Sequence, residues 1–179
     1  MRPQNPYAVS KASVDLLAGL YADARGLQTL RARSFNHAGP GQKADYVVAS
    51  FARQIAVAER DGVAEVEIVT GNTAARRDFT DVRDVVEAYW SMAERADAGA
   101  YNVCSGRAVA IADILTGLAR STALEVRQRT DQGLLREHEV MEMRGSHDKL
   151  TDATAWQPET PLERTLSDTL DWWRAELGA

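Results

Sequence analysis

The chain has 179 residues, of which 45% are hydrophobic and 26% are charged, and its formal net charge is −5. This length and composition fit one globular domain, and the acidic balance argues against general binding to nucleic acid or to an anionic membrane surface. A single cysteine, Cys104, excludes an internal disulfide bond. Because no apolar run is long enough to cross a bilayer and the N-terminus has no apolar signal segment, we expect a cytoplasmic protein.

The first predicted element is a helix over residues 5–24. Asn5 and Pro6 suit its N-cap and first turn, and apolar residues then recur at helical spacing. Tyr7 and Lys11 are four residues apart and therefore share one face of this helix. An ammonium group beside a phenol favours the phenolate, which suits proton transfer to or from an alcohol or ketone oxygen. A chance pair on a solvated helix is the alternative.

Strands and helices then alternate along the chain. Hydrophobic patterns predict strands at 27–34, 63–70, 101–104 and 124–128, and helices at 46–60, 82–96, 111–121 and 162–176. Such alternation is typical of an α/β fold with a parallel sheet. The Gly/Pro-rich loop 35–41 follows the first strand, and ligands of open α/β sheets bind at the carboxyl ends of strands. This loop is a candidate for one wall of a ligand-binding site. The alternative is an ordinary loop between a strand and a helix.

Two adjacent arginines, Arg76 and Arg77, precede a short apolar run. The guanidinium fork of an arginine matches the oxygens of a phosphate, so an arginine here is a candidate for binding an anion, and Arg76 is interpreted as a surface residue. Asp81 is predicted to cap the helix that follows, where Arg83 and Asp84 suit a solvated surface. Three scattered histidines do not form a metal-binding pattern, and no metal site is predicted.

Several stretches in order carry a family resemblance. Asn-Pro-Tyr-Ala-Val-Ser-Lys at 5–11 is followed by the segments 33–42, 71–72, 77–84 and 101–106. Together they resemble the extended short-chain dehydrogenase/reductase superfamily. They are most similar to the GDP-6-deoxy-4-keto-D-mannose reductases, with the GDP-mannose 4,6-dehydratases as a sibling family. The resemblance extends from about residue 2 to residue 173.

The resemblance implies a fold class. We expect an α/β fold that forms the C-terminal part of a Rossmann-like parallel sheet together with a small substrate-binding α/β domain, over residues 1–179. The Gly-rich turn that receives a dinucleotide pyrophosphate has no counterpart in this sequence. The Ser/Thr partner of Tyr7 is also expected outside the chain. We therefore expect the C-terminal portion of a longer enzyme of the epimerase/dehydratase type, without its N-terminal cofactor half.

The resemblance also implies the site residues. Tyr7 and Lys11 would be catalytic and would contact the cofactor, NADP or NAD, together with Phe35 and His37 near the nicotinamide. The substrate contacts that it implies are Asn36, Val47, Arg53, Gly71, Asn72, Arg77, Arg136 and Glu139. Within this last set, Arg53, Arg77 and Arg136 would neutralise the diphosphate of the nucleotide sugar.

The implied reaction is NAD(P)H-dependent reduction of the 4-keto group of a GDP-6-deoxy-hexulose, giving GDP-D-rhamnose, by the longer parent enzyme. One alternative is a GDP-mannose 4,6-dehydratase. The other is a non-catalytic truncated module that binds a nucleotide sugar or drives oligomerisation. The expected partners are a GDP-sugar substrate and further copies of the chain, because one edge and one face of the sheet would lack cover. We therefore expect a homodimer or a higher oligomer.

Overall fold

Six helices and eight strands follow one another in the part of the chain that this computed structural model describes, residues 3, 6–135 and 139–178. The helices are α1 (Pro6–Arg25), α2 (Val47–Arg60), α3 (Val82–Arg95), α4 (Ile111–Ala119), α5 (Asp148–Thr154) and α6 (Leu162–Leu177). The strands are β1 (Leu30–Ser34), β2 (Asn36–Ala38), β3 (Glu65–Thr70), β4 (Arg76–Asp81), β5 (Gly99–Val103), β6 (Ala108–Ala110), β7 (Glu125–Thr130) and β8 (Glu142–Met143). A short 3-10 turn covers Gln132–Leu134.

The strands pair mostly in parallel, which confirms the predicted α/β class. β1 pairs with β5, and β3 pairs with β7, both in parallel. The largest sheet has β4 at its centre, with β2 and β8 parallel to it and β6 antiparallel. The carboxyl ends of β1, β2 and β4 are therefore brought to one side of the fold, where ligands of such sheets bind.

Two apolar clusters hold these elements together. The larger one lies between α2, α4 and α6 and the strands beneath them, with Ile55, Ile68, Ile114 and Leu170 fully buried. The smaller one joins α3, β5 and α5 and includes Trp156. Burial of apolar side chains of this size stabilises the fold by about 1.5–3 kcal/mol for each residue.

The start of α3 agrees with prediction at one aspartate and differs at another. Asp81 caps the helix as expected and accepts a hydrogen bond from the Arg83 backbone nitrogen at 2.8 Å. Burial acts to raise the pKa of Asp81, but hydrogen bonds from Arg83 and Thr165 outweigh it and hold this pKa below its usual range. The prediction of a surface position for Asp84 was wrong. Its carboxylate is buried and accepts bonds from the nitrogen and the hydroxyl of Thr160 at 3.0 and 2.9 Å.

Helix α1 exposes most of its apolar residues. None of its side chains is buried, and Leu16 and Leu20 are 63% and 60% exposed. It is attached chiefly through Asp15, whose carboxylate accepts two hydrogen bonds from the Arg33 guanidinium at 2.6 and 3.0 Å. This contact holds the pKa of Asp15 below its usual range. Among the described residues, β1 pairs with β5 alone. None of the helices in this part of the chain is both long and apolar enough to span a bilayer.

Candidate functional site

Tyr7 and Lys11 lie together on the first turns of α1. The Lys11 Nζ atom is 5.5 Å from the centroid of the Tyr7 ring, and both side chains are exposed. Within the described ranges, Lys11 has no carboxylate partner, so its ammonium remains available to a ligand hydroxyl. The spacing in sequence therefore produced the neighbouring pair that it predicted.

Three candidate residues follow β1. The Phe35 backbone nitrogen donates to the carbonyl of Val103 at 2.9 Å and so extends the β1–β5 pairing by one residue. Asn36 and His37 then open β2, where Asn36 lies opposite Phe79 of β4. The side chains of Asn36 and His37 are exposed. This loop is thus fixed by strand pairing on both sides while the Asn36 side chain and the His37 ring, whose Nδ1 lies 3.2 Å from the Phe35 carbonyl oxygen, stay exposed.

A second group forms where β3 ends. The Asn72 side-chain oxygen accepts a hydrogen bond from the Ala74 nitrogen at 3.0 Å, which closes the turn after Gly71. On β4, Arg77 reaches Glu139 with 3.4 Å between Nη2 and Oε1, and both side chains are mostly buried. Four of the predicted substrate residues thus lie in two small groups, two in the turn and two in this ion pair.

Sequence reasoning missed the residues that join these segments. The Met141 carbonyl accepts a hydrogen bond from the Arg76 nitrogen at 2.7 Å, and its sulfur lies 3.5 Å from the Asn72 amide nitrogen. A Cβ atom on Gly71 would lie 2.9 Å from the carbonyl oxygen of Leu134, so the chain approaches closely there. No local sequence signal marks Leu134 or Met141, because their role depends on segments distant in sequence.

Two other predicted substrate residues, Val47 and Arg53, pack against residues outside the two groups described above. Val47 is partly buried against the larger apolar cluster. The Arg53 guanidinium lies over the ring of Trp173, 5.8 Å from its centroid, and borders a shallow cleft with Val63 and Glu65 near the start of β3. Gly71 follows the other end of that strand, so the structure does not bring Arg53 to the Arg77 group. Arg136 lies outside the described residues.

A buried carboxylate supports β4 next to Arg77. Asp78 has no exposed surface and accepts four hydrogen bonds. The Ser105 nitrogen and hydroxyl bind one of its oxygens at 2.8 and 2.7 Å, and the Gly106 and Gly145 nitrogens bind the other at 3.0 and 3.2 Å. It therefore ties β4 to the turn after β5 and to the segment after β8.

Cys104 lies next to this cluster and is fully buried. Burial raises the pKa of its thiol to about 11, so the thiolate that a nucleophile requires is disfavoured. Cys104 therefore packs as a small apolar residue.

Parallel strands with loops at their carboxyl ends, beside a helix that carries a Tyr–Lys pair, define a Rossmann-like protein of the short-chain dehydrogenase/reductase class. The chain matches the sequence model of the family described as GDP-mannose 4,6 dehydratase over residues 1–169, and it belongs to this family.

The chain is similar to both branches that the motifs indicated. It is 39% identical to GDP-6-deoxy-D-mannose reductase of Pseudomonas aeruginosa, over 98% of this chain and 58% of that protein. It is 26% identical to GDP-mannose 4,6 dehydratase 2 of Arabidopsis thaliana, over 94% of this chain and 45% of that protein. The chain thus spans about half the length of these curated relatives.

Solved structures show the same fold. RMD from Pseudomonas aeruginosa, in complex with NADPH, superposes with a TM-score of 0.90 at 39% identity, over 98% of this chain and 58% of that one. A UDP-glucose 4-epimerase from Thermotoga maritima, with UDP-glucose, superposes with a TM-score of 0.85 at 26% identity, over 98% and 55%. These matches confirm the Rossmann-like assignment.

Proposed function

We propose that the chain supplies the nucleotide-sugar-binding part of an enzyme that reduces the 4-keto group of a GDP-6-deoxy-hexulose with NAD(P)H. The observation that carries this proposal is its 39% identity to a GDP-6-deoxy-D-mannose reductase along 98% of its length. The group formed by Gly71, Asn72, Arg77 and Glu139 supports it, because it combines a guanidinium with a tight polar turn. Such a combination suits the diphosphate and the base of a nucleotide.

In this proposal Arg77 binds the diphosphate, and Glu139 and Asn72 orient the nucleotide. Glu139 has a second role, since its contact with Arg77 keeps the guanidinium in position before the ligand arrives. Asn36 contributes from the adjacent strand β2. It lies opposite Phe79, which is two residues after Arg77 on β4. Arg136 remains a predicted second contact to the diphosphate.

The chain's own residues fit one side of a nicotinamide cofactor. Tyr7 and Lys11 have exposed polar ends, and Phe35 and His37 lie at the carboxyl end of β1. In the proposed reaction Lys11 binds a ribose hydroxyl and Tyr7 donates a proton to the substrate oxygen. A bound NADPH or NADH supplies the hydride.

Two other functions remain as alternatives. The match to the GDP-mannose 4,6 dehydratase family model supports a dehydratase, which would share the binding residues but convert GDP-mannose without an added reductant. The non-catalytic module would bind the nucleotide sugar without turnover.

Binding and turnover measurements on the purified chain separate these functions. We expect saturable binding of GDP-mannose that GDP displaces and dTDP does not, measured by calorimetry. Equal displacement by both nucleotides would contradict the assignment of the base. Consumption of NAD(P)H with a GDP-4-keto-6-deoxy sugar would support the reductase and exclude the non-catalytic module. Conversion of GDP-mannose without added reductant would instead identify the dehydratase.

The apolar surface of α1 predicts that the chain self-associates. Replacing Leu16, Leu17 and Leu20 together with Gln removes exposed apolar area while keeping helix propensity high. We expect the wild-type chain to exceed the monomer mass of 19.6 kDa in light scattering, and the triple variant to approach it. Asp23→Gln, on the same helix, is the control and should leave the mass unchanged. A monodisperse wild-type monomer would contradict the predicted oligomer.

A further inference from the structure

A cleft with a volume of about 570 Å³ lies on the side of β4 to which Asp78 points. Its two walls are the turn after β5, residues 105–107, and the segment between β8 and α5, residues 144–148. We name it the Arg107–Arg144 cleft. Successive side chains of a strand point to opposite faces, so this cleft and the Arg77 group lie on opposite faces of β4.

We propose that the Arg107–Arg144 cleft binds a phosphate group, at a site separate from the one assigned to Arg77. Arg107 and Arg144 both line the cleft and both are exposed. Most arginines of the described chain form ion pairs, whereas neither of these two does. Two unpaired guanidinium groups on one cleft provide the planar donors that match phosphate oxygens.

The walls of the cleft are built rigidly. All four hydrogen bonds to Asp78 come from residues of these two walls, which fixes one wall against the other. A Cβ atom on Gly145 would lie 2.6 Å from the Cys104 sulfur, so this backbone packs too closely for any other residue. Gly106 has a φ of +76°, a conformation that favours glycine. A preformed wall reduces the conformational entropy lost on binding.

Neutral donors complete the proposed site. The Ser146 hydroxyl oxygen accepts a bond from the Asp148 nitrogen at 3.3 Å, which leaves the hydroxyl hydrogen free to donate to a ligand. His147 Nδ1 is bonded to the Thr151 hydroxyl at 2.9 Å, so only Nε2 is available toward Gly106 and the cleft. Among the residues that the structure describes, Asp148 is the one carboxylate that lines the cleft. The two guanidinium groups outweigh its charge, and the buried Asp78 carboxylate, which accepts four hydrogen bonds, does not line the cleft.

The volume of the cleft leaves room for more than a phosphate group. Pockets of about 300–1,000 Å³ hold small organic ligands, and the volume here is in that range. A phosphorylated sugar and inorganic phosphate share the group that the two arginines recognise. The experiment therefore compares these two sources.

Equilibrium dialysis of the full chain against radiolabelled inorganic phosphate tests the site. We expect saturable binding that Arg107→Gln and Arg144→Gln each weaken about tenfold, the effect of losing about 1.4 kcal/mol from a charge-assisted hydrogen bond. Arg120→Gln is the matched control, because Arg120 is also exposed and unpaired among the described residues but lies at the end of α4. It should bind phosphate as the wild type does.

Two further comparisons make the outcome decisive. The same assay is repeated on chains that also carry Arg77→Met, which removes the other proposed anion site. Phosphate binding that persists in these chains supports the Arg107–Arg144 cleft, whether or not the chain binds GDP. Binding that Arg77→Met abolishes and the two Gln variants leave unchanged would overturn the proposal, as would the absence of saturation. If either Gln variant misfolds, Arg107→Lys and Arg144→Lys keep the charge and should still weaken binding. Tighter binding of glucose 1-phosphate than of phosphate would identify a sugar phosphate as the ligand.

Discussion

Replacing Arg77 with Met is expected to lower the affinity of the chain for GDP about 100-fold. Arg77 is mostly buried, and its guanidinium is already held by Glu139 beside the Asn72 turn. Two hydrogen bonds from a guanidinium to a diphosphate are together worth about 3 kcal/mol, which corresponds to about 100-fold in the dissociation constant. Met keeps much of the length and the apolar volume of the side chain, so the loss is mainly that of charge and donors. Calorimetric titration with GDP measures it.

Arg76→Met is the matched control for this prediction. Arg76 is the preceding residue on the same strand, but its side chain points to the other face and contacts Glu142 and the Ala108 carbonyl. Its removal should change the affinity for GDP less than about threefold, as is usual for an exposed ion pair. If the two variants weaken GDP binding equally, the loss of affinity comes from the lower positive charge of the protein and not from a particular contact. The assignment of the diphosphate to Arg77 would then be wrong.

The sequence predicted best the elements whose apolar pattern is regular. Helices α2 and α6 were expected at 46–60 and 162–176 and were found within one residue of these bounds. Each presents a continuous apolar face to the larger cluster, so periodicity alone carries the information. Helix α1 ends at Arg25, one residue beyond the predicted bound, because Gly26 follows with a φ of +66° and its nitrogen closes the helix on the carbonyl of Ala22.

Strand β4 was not predicted, although it is the centre of the largest sheet. Its sequence, Arg-Arg-Asp-Phe-Thr-Asp, has no alternation of apolar and polar residues. The strand buries Asp78 and Asp81 because donors from other segments satisfy them, including the Ser105 and Gly145 nitrogens and the Thr165 hydroxyl. A buried carboxylate looks the same in sequence as a solvated one, so only the tertiary structure distinguishes them.

The candidate site was predictable to the extent that its residues are local. Tyr7 and Lys11 meet because one turn of helix separates them. The pair formed by Arg77 and Glu139 spans distant segments and was expected only through family resemblance. Arg53 lies elsewhere because its helix presents it to Trp173, a residue of α6 that no local pattern connects with α2.

The largest expected effect on stability is that of Asp78→Asn. Asn matches the shape of Asp, but its amide nitrogen can only donate. One pair of donors, either the two groups of Ser105 or the Gly106 and Gly145 nitrogens, would then face an NH₂ group. The Ser105 hydroxyl can rotate and accept from that NH₂ group, so one or two donors lose their acceptor, at a cost of about 1–3 kcal/mol each. For a chain of this size, that cost should lower the melting temperature by about 10 °C, measured by circular dichroism.

Asp152→Asn provides the control, because Asp152 is an exposed residue of α5, a helix that follows the segment tied by Asp78. This change removes the same charge from a solvated position and should alter the free energy of unfolding by no more than about 0.5 kcal/mol. A similar fall in both variants would mean that net charge, and not the satisfied donors, sets the stability. If Asp78→Asn melts at the wild-type temperature, β4 is held by its strand pairing and apolar contacts alone. The buried carboxylate would then have no structural role in joining the two walls of the Arg107–Arg144 cleft.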